Sequence, residues 1–301
     1  MNQVKHSHLC TILKNKNRER MKKYRVLMDD SPSFPFTMNI ARLESILGIQ
    51  GIFLEKHKTE PIMRKQLEKY NALLLLDYRH YSDKEVEDIY DFVVKDSGSL
   101  LINYLDMPFY NIKKLNGYYD ERTRKIGRLF GISDLTTVKT RTVAFLGTEE
   151  RSYGTYNAEW EPIIEHHPIT RGLKNNLPLD GRWITPLEVN DKEAETLISI
   201  RSNLFGIWDD KEYGDIVVNE KNVRKAEDVA IDMRITDKIV PVLAVNKKYR
   251  MVAYSSLNYD LYSDFELNRY DRWHKFLLDL FSWACGIEGE PKQGKKFSFM
   301  Y

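Results

Sequence analysis

Short apolar runs alternate with amphipathic segments along the first hundred residues of the chain. The run at residues 72–76 is apolar at every position, which is typical of a strand buried on both faces of a parallel sheet. Apolar side chains recur at helical spacing over residues 83–94, where Ser82 and Glu85 form a capping-box pattern. The pattern predicts strands at residues 24–28, 51–54, 72–76 and 99–103, with helices at 38–47, 61–70 and 83–94.

Strands and helices that alternate at this short spacing favour an α/β fold, because each parallel strand needs a crossover to reach the next. We therefore expect a flavodoxin-like, mostly parallel sheet with helices on both faces. The later pattern predicts further strands at 142–146, 183–189 and 197–200, a hairpin of 239–245 with 250–254, and helices at 120–129 and 271–285. Gly286 ends the last helix.

The ends of the chain differ in composition from its body. Residues 1–22 are rich in Lys and Arg and hold a single acid, Glu19, so we expect a disordered basic leader. Residues 23–286 are expected to form one α/β domain, with the charged stretch 205–238 as an insertion. Residues 287–301 are expected to form a loose basic tail. Nucleic-acid binding is expected only through the leader, whose cations could contact phosphates.

Composition excludes several protein classes. Apolar residues make up 42% and charged residues 30% of the 301 residues, which is ordinary for a globular protein. No apolar run approaches the roughly 18 residues of a membrane-spanning helix. Cys10 and Cys285 cannot form a disulfide framework, no Cys/His cluster offers four zinc ligands, and no glycine-rich phosphate loop occurs. We expect a cytoplasmic protein that needs no cofactor or metal.

Polar residues follow the predicted strands at their carboxyl ends, where open α/β sheets bind their ligands. The candidate ligand-binding residues at this edge are Asp29, Asp30, Ser31, Asp77, Asn103, Tyr104 and Asp106. Carboxylates that converge there could serve as general acid and base. Because an aspartate after a strand is also a common turn former and helix cap, a structural role stays open for each of them.

The order of these elements resembles the class I glutamine amidotransferase-like superfamily. The similarity is carried by the strand at 72–76 before its helix, by the glycine-containing entry at 97–102, by the segment His167–Leu173 (HPITRGL), and by residues 241–257 with the helix after them. It covers roughly residues 24–286. The resemblance is to the non-catalytic branches, such as β-galactosidase trimerisation domains and domains of gliding-motility and intraflagellar-transport proteins.

One departure from this superfamily concerns its nucleophile. Active amidotransferases of the class carry a cysteine on a tight turn after the strand that matches residues 99–103. The chain reads Asn-Tyr-Leu-Asp over residues 103–106, with neither Cys nor Ser. Because thiolate catalysis needs the sulfur beside a positioned base, glutaminase activity is not expected.

His167 completes the set of candidate residues. It could bind a ligand, but Pro168 follows it, and His-Pro in this position can equally shape a turn.

The leading hypothesis, implied by the resemblance, is a non-catalytic module that binds a protein partner or a small polar ligand and forms a homo-oligomer. The alternative is a hydrolase or sugar-modifying enzyme that uses the carboxylates at the sheet edge.

Overall fold

The computed structural model describes residues 24–29, 41–57, 61–76, 81–105, 121–134, 140–145, 148–151, 154–157, 160–173, 183–184, 186–209, 232–256 and 271–287. The strands are β1 Tyr24–Asp29, β2 Ile52–His57, β3 Ala72–Leu76, β4 Ser99–Leu105, β5 Ile132–Asp134, β6 Thr140–Phe145, β7 Thr148–Arg151, β8 Gly154–Asn157, β9 Trp160–Ile164, β10 Trp183–Ile184, β11 Leu187–Val189, β12 Ala194–Asp209, β13 Asp232–Asn246 and β14 Met251–Ser256. The helices are α1 Ala41–Gly48, α2 Arg64–Leu67, α3 Asp83–Val94, α4 Glu121–Arg128 and α5 Asp271–Ala284.

A ten-stranded mixed sheet organises the fold. Its order is β10-β6-β12-β13-β14-β4-β3-β1-β2, and β9 also pairs with β12. The five strands β2, β1, β3, β4 and β14 are parallel and form the parallel half. The strands β13, β12, β9, β6 and β10 pair antiparallel and form the antiparallel half. The α/β class is confirmed, but the expectation of a mostly parallel sheet is wrong for the second half of the chain.

The inner strands of the parallel half, β1, β3, β4 and β14, are buried on both faces, as is typical of parallel strands, whereas the edge strand β2 is partly exposed. Alternate residues along each strand point into two separate cores. In β3, Ala72 and Leu74 lie in the core beneath α1 and α5, which we call the first face. Leu73 and Leu75 lie in the core beneath α2, α3 and α4, the second face. Helices on both faces of the sheet are thus confirmed.

The antiparallel half is built on one long hairpin. β12 pairs with β13 from Ala194↔Asn246 to Ile207↔Asp232, with irregular register near Pro241. On its other side, β12 pairs first with β9 and then with β6. Residues 232–238 therefore belong to a strand, although the sequence indicated an irregular charged stretch there. Polar residues interrupt the apolar pattern of this segment, so no strand was predicted. Residues 210–231 lie outside the described residues, and the predicted insertion stays a prediction.

The capping box predicted for α3 is present and joins two helices. Ser82 Oγ accepts a hydrogen bond from the backbone N–H of Glu85 at 3.2 Å, and the Glu85 carboxylate accepts one from the backbone N–H of Ser82 at 2.8 Å. The other oxygen of Glu85 accepts the backbone N–H of Ile62 at 2.9 Å. This buried glutamate therefore ties the segment before α2 to the start of α3.

Candidate functional site

The carboxyl ends of the parallel strands place one predicted aspartate in a buried contact. Asp29 ends β1 and is 3% exposed. The hydroxyl of Tyr81, which precedes α3, donates a hydrogen bond of 2.5 Å to Asp29 Oδ2. Asp29 lies beside β3, at the point where the strand order reverses, which is where α/β sheets bind ligands. Tyr81 was not predicted as a site residue, because it lies several residues after the end of β3, in the segment that leads into α3.

A buried histidine lies next to this aspartate. His57 is the register partner of Asp29 on β2 and is 5% exposed. Nε2 of Gln66, in α2, lies 3.1 Å from Nδ1 of His57. Because an amide nitrogen can only donate, Nδ1 of His57 is the acceptor in this contact. His57 could have been predicted from the sequence, because this histidine ends β2, which is parallel to the strand that Asp29 ends.

Asn103 lies at the same edge but on the other side of the sheet. It alternates with Ile102 and shares the first face with Leu101. Its register partner on β14 is Tyr254, which also lies on the first face. Asn103 is fully buried, and no described residue hydrogen-bonds its amide nitrogen, its amide oxygen or the hydroxyl of Tyr254. Complete burial raises the pKa of Tyr254, so this hydroxyl stays neutral.

The edge therefore holds two separate groups of polar side chains rather than one cluster. Asp29 is the last residue of β1, and Asn103 lies two residues before the end of β4. These strands are separated by β3 and lie about 10 Å apart, and the two side chains point to opposite faces. The other predicted edge residues, Asp30, Ser31, Asp77 and Asp106, lie outside the described residues. Their role as ligand-binding residues stays a prediction.

Tyr104 has a clear packing role. Its side chain is fully buried on the second face, and its hydroxyl donates to the backbone carbonyl of Ile132 at 3.4 Å. Gly127 in α4 makes room for it, because a Cβ at that position would lie 2.0 Å from the tyrosine oxygen. Tyr104 thus fixes α4 on the sheet and faces away from Asn103.

His167 lies far from the carboxyl edge, in a turn that packs on α5. Its Nδ1 accepts the backbone N–H of Ile169 at 3.2 Å, and its ring lies edge-on to Trp283 with centroids 5.6 Å apart. Thr170 Oγ1 accepts the backbone N–H of His167 at 3.0 Å and donates to the carbonyl of Glu165 at 2.6 Å. These contacts support the turn-forming interpretation of His167-Pro168.

The same turn carries a buried ion pair. Arg171 contacts the fully buried Asp279 of α5, with Nε and Nη2 at 3.0 and 2.9 Å from Oδ1. Nζ of Lys275 lies 3.1 Å from the other oxygen. Gly172 lets the turn approach α5, because a Cβ there would lie 2.8 Å from the Lys275 side chain. The segment His167–Leu173 therefore holds α5 against the sheet.

The described cysteine is unsuited to nucleophilic catalysis. Cys285 follows α5 and is buried in the first-face core. Burial raises the pKa of its thiol to about 12, although the nearby charge of Arg250 lowers it. Its place at the end of α5 is on the amino side of the sheet, where Arg250, just before β14, donates to the carbonyl of Trp283. Cys10 lies outside the described residues.

Two further properties bear on the chemistry of the described residues. They contain no group of three or more His, Cys, Asp and Glu side chains arranged to hold a metal ion. Among the helices of the described ranges, none has the length and apolar character needed to cross a membrane.

The fold is similar to known structures, although the sequence is not. No protein-family model and no curated protein matches the chain. The N-terminal domain of mmIFT52 is 12% identical, with a TM-score of 0.51, over 86% of this chain and 96% of that one. A ThuA-like protein from Bacteroides uniformis is 14% identical, with a TM-score of 0.44, over 87% of this chain and 91% of that one. Gan42B, a GH42 β-galactosidase, is 10% identical over 81% of this chain and 29% of its own, with a TM-score of 0.34.

The fold is class I glutamine amidotransferase-like. The resemblance predicted from the order of the elements is thereby confirmed, and the fold argument rests on the mmIFT52 domain. Sequence identity at this level shows the amidotransferase-like fold alone. Function has to be argued from the side chains of this chain.

Proposed function

We propose that this chain is a non-catalytic amidotransferase-like module that binds a small polar ligand at the carboxyl edge of its parallel half. One observation carries the proposal: the strand after which active amidotransferases place their cysteine, β4, holds a buried asparagine, Asn103, two residues before its carboxyl end. An amide can donate and accept hydrogen bonds but cannot act as a nucleophile. The buried thiol of Cys285 gives no substitute, because its pKa is about 12 and it lies toward the amino side.

A glutaminase assay on the full-length protein tests the non-catalytic part. We expect no release of ammonia from glutamine above the rate without protein, for the wild type and for Cys285→Ser alike. Hydrolysis of glutamine by the wild type would contradict the proposal, and its loss in Cys285→Ser would show that the buried thiol becomes reactive.

A thermal-shift screen of the full-length protein tests the binding part. The panel contains divalent metals, nucleotides, sugars and sugar phosphates. A ligand at 100 times its Kd adds about 2.7 kcal/mol, which raises the Tm of a domain of this size by several degrees. We expect at least one ligand to raise the Tm of the wild type. Asn103→Leu or Asp29→Asn should reduce this rise in Tm, whereas Ser282→Ala, in the last turn of α5, should not change it. No shift with any class would contradict ligand binding.

A second candidate function is that of a hydrolase or sugar-modifying enzyme. The specific observation in its favour is that Asp29, His57 and Tyr81 bring a carboxylate, an imidazole and a phenol to one buried place. A panel of p-nitrophenyl glycosides, esters and phosphates tests it. Turnover that His57→Gln abolishes, while the variant keeps the Tm of the wild type, would favour this enzyme over the binding module.

A protein partner, including a second copy of the chain, stays a prediction. Within the described part of the chain, no strand pairs with the outer edge of β2, which ends the sheet. Phe53 on this strand is 47% exposed. An edge strand of this kind can add a strand from another chain. Light scattering of the purified protein tests the predicted homo-oligomer, and a monomer at all concentrations would contradict it.

A further inference from the structure

Three buried polar atoms without hydrogen-bond partners lie side by side on β4 and β14. They are the amide nitrogen and oxygen of Asn103 and the hydroxyl of Tyr254. The two residues are direct register partners on parallel neighbouring strands, so their backbones lie about 4.8 Å apart. Both side chains occupy the first face at the carboxyl edge, and they are 0% and 4% exposed.

The hydroxyls of Ser255 and Ser282 are also buried without a hydrogen-bond partner among the described residues, but Asn103 and Tyr254 differ from them because they are register partners that share one face of the sheet. Asn246, at the end of β13, is also buried. Its Nδ2 donates to the carbonyl of Phe130 at 2.9 Å, and its Oδ1 accepts the backbone N–H groups of Lys248 and Tyr249 at 2.9 and 2.7 Å. The side-chain amide of Asn246 thus has its hydrogen bonds inside the protein, whereas nothing in the packing explains why the amide of Asn103 has none with the described residues. A polar group left unpaired in a native interior needs an explanation such as a bound molecule.

We propose that Asn103 and Tyr254 together bind a neutral ligand through adjacent hydroxyl groups of that ligand. This inference rests on the binding role proposed above and names the ligand class for the first face of the edge. The asparagine amide donates through Nδ2 and accepts through Oδ1, and the tyrosine hydroxyl does both. Two neighbouring hydroxyl groups of a polyol or of a sugar each donate and accept, so they can satisfy all three atoms at once.

The surrounding charges favour a neutral ligand over an ionic one. On the helix that covers this face, the buried charge of Asp279 is already matched by Arg171 and Lys275. Burial raises the pKa of Tyr254, and no charged group among the described residues contributes to this shift. Burying an unbalanced charge is far more costly than burying a hydroxyl group that finds hydrogen-bond partners.

A nuclear magnetic resonance titration of the full-length protein tests the proposal. The probes are glycerol and glucose, and the readout is the side-chain amide signal of Asn103, assigned by its loss in Asn103→Leu. We expect a saturable shift with at least one probe. A shift with glycerol alone identifies a free polyol as the source of the hydroxyl groups, whereas a shift with glucose identifies a sugar ring.

Matched variants and probes make the titration decisive. We expect Tyr254→Phe to weaken the binding at least tenfold and Ser282→Ala, which removes another buried unpartnered hydroxyl, to leave it unchanged. Glycerol 3-phosphate, which carries charge, should not shift the signal. The proposal is overturned by no shift with either probe, by a shift with acetamide alone, or by unchanged binding in Tyr254→Phe.

The stability of the free variants gives an independent readout. Asn103→Leu and Tyr254→Phe should keep or raise the Tm, because each removes a buried group that has no partner. A fall of about 5 °C or more would show that the group is already satisfied inside the protein and would overturn the proposal. If a panel ligand instead depends on Asp29 alone, the binding function stands and only this assignment fails. If no ligand of the panel binds, the binding function fails as well.

Discussion

Asn246, the last residue of β13, and Asn103, near the carboxyl end of β4, are two buried asparagines that differ in their hydrogen bonding. Asn246 makes three hydrogen bonds to backbone groups and fixes the turn between β13 and β14. Asn103 makes none with the described residues. The tyrosines Tyr81 and Tyr254 differ in the same way, because only the first has a carboxylate partner. The comparison teaches that burial alone does not define a structural polar residue, and that satisfied and unsatisfied groups should respond oppositely to the same substitution.

The strongest test of this rule uses a charged group. Arg171→Met should lower the free energy of unfolding by about 3–5 kcal/mol, because it removes the main partner of the fully buried Asp279. Urea denaturation measures the loss. The control is Arg201→Met, since Arg201 and Glu161 form an exposed pair that should contribute less than about 1 kcal/mol. Equal losses in both variants would contradict the rule.

The two asparagines allow the same substitution at both sites. Asn246→Leu should cost about 3 kcal/mol, because one buried and two partly buried backbone groups lose their partner. Asn103→Leu should cost nothing or stabilise the protein, since the unpartnered amide is replaced by an apolar side chain of similar size. Thermal unfolding of both variants measures these changes in stability. A large loss of stability in Asn103→Leu would show that the amide of Asn103 has hydrogen-bond partners inside the protein.

The two tyrosines provide a smaller version of this comparison. Tyr81→Phe should destabilise the protein by about 1–2 kcal/mol, because Asp29 loses a buried donor. Tyr254→Phe should be neutral or stabilising, because the lost hydroxyl has no described partner. Chemical denaturation of the pair measures both effects. If both variants lose the same amount, the distinction between the two tyrosines is wrong.

A pH effect is expected from His167. Burial lowers its pKa, which Glu195 opposes and His166 reinforces. The unfolded chain therefore takes up a proton more readily, so the stability that depends on neutral His167 is present above about pH 6.5 and is lost as the pH falls below it. The drop in Tm between pH 7.5 and pH 5.5 should be smaller in His167→Gln. In the control His166→Gln, which changes an exposed ring, most of the drop should remain, because burial is the larger cause of the lowered pKa of His167.

The smallest expected effect concerns Ser282. Its buried hydroxyl has no hydrogen-bond partner among the described residues, and it lies in the last turn of α5. Ser282→Ala should stabilise the protein by about 0.5 kcal/mol, because alanine also has the higher helix propensity. Differential scanning calorimetry can resolve such a change, and a destabilised variant would indicate a hidden hydrogen bond.

The sequence was most informative where a single physical cause determines the structure. Burial on both faces explains why the apolar runs of β1, β3 and β4 could be predicted as strands, and the reciprocal pattern of Ser82 and Glu85 predicted the start of α3. The antiparallel half was poorly predicted, because strands such as Asp232–Asn246 carry polar residues that hide their periodicity. Strand direction also depends on pairing between distant segments, which local patterns do not contain.

For the candidate site, the sequence predicted the edge but not the partnerships. Asp29 and Asn103 were predicted because they come at the ends of apolar runs, and the structure places Asp29 at the last position of β1 and Asn103 near the carboxyl end of β4. Their role as ligand-binding residues stays a prediction. Their separation onto opposite faces depends on where each strand stops, to within one residue. The companions of these residues, Tyr81, His57 and Tyr254, are brought by other strands and loops, and only the three-dimensional register identifies them.

The position of β14 determines when the protein can fold. This strand joins β4 to the antiparallel half, yet it is made of residues 251–256, late in the chain. A ribosome that adds about 5–20 residues per second therefore needs roughly 7–30 s after completing β4 before it has made the strand that pairs with β4. During this time β1, β2, β3 and β4 present an open parallel edge. Cells that produce this protein thus have a defined interval in which chaperones would bind the nascent chain.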